Sequence, residues 1–102
     1  MNGQLIIIHT DGSRVQTPWE TPPTLKELQK AIGGGFIEII SKFSFYAGHP
    51  CVAFCDEEGK IKGLKINEEA SMLWEVGHDY LVGPVAILIG DRTTLATFGA
   101  KP

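Results

Sequence analysis

The chain has 102 residues, 43% of them hydrophobic and 21% charged, with a formal net charge of −3. The length suits one domain that buries roughly 65% of its unfolded surface, and the proportions exclude intrinsic disorder. The acidic balance argues against bulk attraction to nucleic acid or anionic lipid.

The run Leu5-Ile6-Ile7-Ile8-His9, the turn pair Asp11-Gly12 and the return Arg14-Val15-Gln16 predict a β-hairpin at the start of the fold. Pro18, Pro22 and Pro23 make the next stretch a rigid connection. Thr24-Leu25-Lys26-Glu27 matches a capping box, Leu25, Leu28 and Ile32 recur at helical spacing, and Gly33 supplies a left-handed stop. Phe36 to Ile40 and then Phe43-Ser44-Phe45 read as strand, bent at Ser41-Lys42 where the apolar parity changes. Gly48-His49-Pro50 is expected to turn. Cys51 to Cys55 and Ile61 to Ile66, flanking Asp56-Glu57-Glu58-Gly59-Lys60, predict a second hairpin.

Asn67 is placed to cap a second helix with Glu68 and Glu69 at its positive end and Ala70, Leu73 and Trp74 as its buried stripe, and Gly77 ends it. Leu81 to Ile89 reads as the last core strand, with Pro84 implying an edge position or a bulge. The apolar run from Tyr80 to Ile89 reaches only about half of the ~20 residues a membrane span needs. The expected order is ββαβββαβ: an α+β fold with a largely antiparallel sheet of about five to six strands and two helices on one face. Residues 1–90 form the expected domain, and 91–102 a C-terminal tail or an added edge strand. Met1-Asn2-Gly3-Gln4 lacks the basic region of a secretory signal, so a cytoplasmic location with reduced thiols is expected.

Three glycines, Gly33 to Gly35, invite a phosphate cradle, but phosphate loops lead into a helix N-terminus, whereas these follow a helix end. A helix cap with a tight bend accounts for them, and the surplus over one capping glycine leaves room for close approach of a ligand or partner backbone. His49, Cys51 and Cys55, with His9 or His78, could be assembled into a zinc site only on paper. Along a strand the two cysteines lie about 13 Å apart, too far for one zinc or for a disulfide. No metal or cofactor is expected. The nucleophile elbow, the H-E-x-x-H pattern and a paired-carboxylate signature are all missing from the sequence, so catalysis is not expected. Trp19 and Trp74 are read as packing residues rather than stacking platforms. If Lys60 to Ile66 is a strand, Lys60 and Lys62 share one face about 7 Å apart and offer an anion contact; otherwise they are a solvated hairpin arm.

Gly34-Gly35-Phe36-Ile37-Glu38-Ile39, then Glu58-Gly59-Lys60-Ile61-Lys62-Gly63-Leu64 with Asn67 three places on, then Asp79 before Val82-Gly83-Pro84, resembles a family carried by phages, plasmids and bacteria and catalogued only as a domain of unknown function. The resemblance covers roughly residues 25 to 89. It departs in the long Ser41 to Pro50 insertion and at Lys65, where proline is expected. It implies a mobile-element setting in a host cytoplasm and assigns no activity or catalytic residue.

The expected function is that of a non-enzymatic binding protein. In one reading Gly34, Gly35, Phe36, Glu38, Lys60, Lys62 and Asn67 line a pocket that sequesters a small anionic, nucleotide-like host immune signal. In the alternative, an exposed sheet edge or apolar patch blocks a host defence protein; a small enzyme is the third. Expected partners are thus a small anionic ligand or a host protein, with a homo-oligomer also open.

Overall fold

The computed structural model describes residues 3–77 and 79–98. His78, and the last four residues of the expected tail, lie outside them. The opening hairpin is present: β1 (Gly3–Ile8) pairs antiparallel with β2 (Arg14–Trp19). Its turn is held by Asp11, whose Oδ1 accepts both the Ser13 N–H (2.8 Å) and the Ser13 hydroxyl (2.6 Å), with Gly12 at φ +89°. Helix α1 (Leu25–Ala31) starts on the full capping box: Glu27 N–H donates to Thr24 Oγ1 (3.2 Å) and Thr24 N–H donates back to Glu27 Oε1 (3.0 Å).

Strands β3 (Ile37–Ile39) and β4 (Phe45–Tyr46) both pair antiparallel with β5 (His49–Asp56), β3 near its end and β4 at its start. The bend between them falls at the expected place, with Lys42 at φ +59°. It lets Ile40 and Phe43 both reach the core. The turn predicted at Gly48-His49-Pro50 is instead Ala47-Gly48, both at positive φ, and His49 and Pro50 begin β5. Helix α2 (Glu68–Leu73) is followed by β6 (Val85–Ile89) and α3 (Arg92–Thr97). The sheet order is β2-β1-β6-β5-β3, antiparallel throughout.

Further features depart from the sequence reading. The second hairpin is absent: residues 57–63 form consecutive turns, and Ile66 makes only an isolated bridge to Val82. Pro84 does not mark an edge, because it precedes β6, which sits at the sheet centre between β1 and β5. A third helix, α3, stands where a tail or edge strand was expected; Asp91 Oδ1 caps it by accepting Thr94 N–H (2.7 Å), and Leu95 is buried. The helices also take opposite faces. Leu28, Ile32, Leu95 and Phe98 pack with Trp19, Val52, Phe54 and Leu88, while Ala70, Ile40, Phe43 and Leu81 cover Ile6, Ile8, Ala53 and Ile87. A strand buried on both faces must be apolar at every position, which explains Val85-Ala86-Ile87-Leu88.

Leu28 is the fully buried anchor of α1, whose other leucine, Leu25, is exposed. Leu28→Ala is therefore expected to cost about 2–5 kcal/mol in chemical denaturation, by cavity formation; an unchanged midpoint would contradict this packing.

Candidate functional site

The glycine segment follows directly from how α1 ends. Gly33 N–H donates to Lys30 O (3.2 Å) and Gly34 N–H to Gln29 O (2.7 Å), the paired bonds of a Schellman cap, with φ +103° and +95°. Two of the three glycines are thereby used by the backbone. The third is used by a neighbour, since a Cβ at Gly35 would stand 2.6 Å from Asp56 Oδ2 and 2.8 Å from Lys62 Nζ.

Asp56, the last residue of β5, organises the turns that follow. Its Oδ1 accepts Glu58 N–H (2.9 Å) and its Oδ2 accepts Lys62 Nζ (2.7 Å). Its carbonyl accepts Gly59 N–H, and Lys62 N–H donates to Glu58 O (2.9 Å), winding the chain until Gly63 ends it at φ +70°. The Lys62 ammonium, through this hydrogen bond, holds the Asp56 carboxyl below its ordinary value, and Asp56 in turn raises Lys62. In wound chain Lys60 and Lys62 do not share a face. Lys60 lies 3.2 Å from Asp79 Oδ1 and 4.6 Å from the centroid of the Tyr80 ring.

Lys60, Asp79 and Tyr80 border an open cleft of about 260 Å3 whose walls include Glu38, Cys55 and Trp74. Trp74 is fixed there by its Nε1–H bond to Ser41 O (2.8 Å). Glu38 sits opposite Cys55 in the β3–β5 register. The predicted site residues thus separate. Glu38 and Lys60 reach the cleft, Gly35 and Lys62 meet at Asp56, Gly34 faces open space, and Phe36 is 67% exposed beside the β5 end. Asn67 is in none of these places. It is fully buried, its Oδ1 accepting Ala70 N–H (3.1 Å) and its Nδ2 donating to Ile8 O and Gly83 O (both 2.9 Å). Both amide hydrogens and the amide oxygen are engaged in tying α2 to the sheet.

A family model described as a domain of unknown function, DUF3846, matches residues 1–97. The chain belongs to that family. No curated protein and no solved structure matches it. The match extends beyond residues 25 to 89, where the motifs lie, and takes in the first hairpin and α3 of this DUF3846 chain.

In this DUF3846 chain both cysteines are free, and burial pushes the Cys51 thiol up to about 12 and the Cys55 thiol up to about 11. That is the reverse of nucleophile activation. Among the described residues no group of three or more His, Cys, Asp or Glu is arranged to hold a metal ion. Nor is any helix among them long and apolar enough to cross a membrane. No sequence motif marks Asp56, Trp74 or Tyr80 as site residues. For Asp56 a signal existed: an aspartate followed by Gly59 and Gly63 is as good a start for a wound turn as for a hairpin loop.

The Asp56 carboxyl titrates below its ordinary value of 3.8 in the folded chain, so the stability it contributes is fully present above that value. It is lost as the pH falls through the lowered folded value. Asp56→Asn is expected to unfold at lower urea than the parent at neutral pH, with the gap closing as pH is taken down to about 2. Urea midpoints of both proteins across that range check the sign.

Proposed function

We propose that this chain is a non-enzymatic binding protein that acts by occupying a partner protein, through the end of the sheet where β3 is outermost. The observation that carries the reading is the unpaired side of β3. Among the described residues no other strand lies against it, and apolar side chains stand exposed at the same end: Phe36 just before the strand, Ile39 on it, and Ile61, 85% exposed, in the turns after β5. An open strand edge with exposed apolar neighbours is a template for strand addition or patch docking. The raised thiols and the paired Asp56 favour binding over catalysis.

Sequestration of a small anion has weaker support. Lys60 and Lys62 are already engaged by Asp79 and Asp56, Glu38 adds a carboxylate to the cleft, and its volume is below the roughly 300–1,000 Å3 of ligand pockets. One feature favours it as a second reading: the Lys60 ammonium over the Tyr80 ring pairs a cation with an aromatic face, the combination a nucleotide-like ligand would use. The mobile-element setting implied by the resemblance makes a host defence protein in the host cytoplasm the partner to test first.

The full chain, tagged and purified from a bacterial host, is expected to carry a stoichiometric protein in native mass spectra. Phe36→Ser, at an exposed position, is expected to retain at least about tenfold less of it at unchanged melting temperature. A small molecule released on denaturation, and missing from Lys60→Ala, would replace this reading with the cleft-ligand one.

A further inference from the structure

We propose that the segment this edge accepts is an extended, basic strand of the partner, carrying lysine or arginine on one face and apolar residues on the other. The inference rests on the edge reading above and adds the chemistry of what is bound. The backbone directions come first. Phe36 O accepts Glu57 N–H (2.9 Å) and Ile40 N–H donates to Ala53 O (2.8 Å), so residues 36, 38 and 40 turn towards β5. By the alternation of an antiparallel ladder, Ile37 and Ile39 aim their N–H and C=O groups outward. Two donors and two acceptors are thus presented over a three-residue strand, enough to set the register of an added one.

The side chains then specify what pairs with it. On the cleft face Glu38 stands exposed, and a residue opposite it on an added strand would have its Cβ roughly 5 Å away. Lys60 is committed to Asp79 and Lys62 to Asp56, while Lys42 sits in the bend that follows β3. Glu57 adds negative charge at the Phe36 end; behind the strand the Cys55 thiol is raised chiefly by burial, with Glu38 and Asp56 adding to the rise and Lys60 opposing it. On the opposite face Ile39 is exposed and Ile37 packs against the core, offering an apolar stripe. A strand alternating basic and apolar residues satisfies both faces at once. A second copy paired about Glu38 would set carboxylate against carboxylate.

The test uses the full chain labelled with nitrogen-15 and two capped nonapeptides, one alternating valine with lysine and one alternating valine with glutamate. The lysine peptide is expected to shift the Ile37 and Ile39 amides. Glu38→Gln should weaken it about two- to fivefold, the worth of a cross-strand charge pair, with the glutamate peptide weaker than lysine on the parent chain. Ile39→Pro, which deletes an outward N–H and leaves the β5 ladder intact, should abolish the shift at Ile37. Equal binding of both peptides at Ile37 and Ile39 would overturn the basic-strand inference and leave the edge reading standing. Shifts at neither amide with either peptide would overturn both, and peptide-free dimerisation through β3 would assign the edge to a second copy instead.

Discussion

The structure depends on a sheet that is dry on both faces. Val85, Ala86, Ile87 and Leu88 are all fully buried, Cys51 to Phe54 on β5 and Ile6 and Ile8 on β1 are buried beside them, and Leu5 and Ile7 partly so, so each face needs a cover drawn from a short chain. The covers are small, helices of seven, six and six residues supplemented by irregular chain. Helices that short do not persist in water on their own, so their caps and their packing hold them. Asn67 shows how closely the two are joined. One buried amide caps α2, accepts and donates three hydrogen bonds, and fixes the helix to the carbonyls of Ile8 and Gly83. A ligand role for it would require those bonds to be given up in a site without water to replace them.

Local signals were legible in the sequence, and they were the ones whose partner lies within a few residues. The Asp11-Gly12 turn, the Thr24 and Glu27 capping box, the Gly33 stop, the Asn67 cap and the bend at Lys42 all follow from short-range backbone chemistry. The second hairpin failed because Lys60-Ile61-Lys62 alternates as well in an exposed wound turn as in a strand; with Ile61 almost fully exposed, the alternation reports no buried face. Helix α3 was hidden by Thr93 and Thr94, which favour strand, and by having only Leu95 and Phe98 as its apolar contacts.

For the candidate site the residue types were legible and their partners were not. Lys62 finds Asp56 six residues back, and Lys60 finds Asp79 nineteen residues on, pairings that only the wound turn and the return of the chain past Trp74 create. Once each ammonium has a carboxylate, the surface changes sign from what a pair of free lysines implies. The glycines changed meaning likewise. Two serve a helix cap and the third makes way for the Asp56–Lys62 pair, which leaves none to be explained by a ligand.

The two edges of the sheet are protected differently, and the difference bears on what each can bind. At one edge β2 carries Pro18, which has no N–H to offer an incoming strand. At the other, β3 has no proline; it is short, ends in a left-handed bend and carries one charge, Glu38, at its centre. Shortness and the bend oppose any long added strand, whereas the charge discriminates among short ones. Against another copy of itself, or an apolar aggregate, Glu38 is a cost; against a basic strand it is a contact. Discrimination is a difference of free energies, so the device that keeps identical edges apart is also the one that selects a partner of opposite sign.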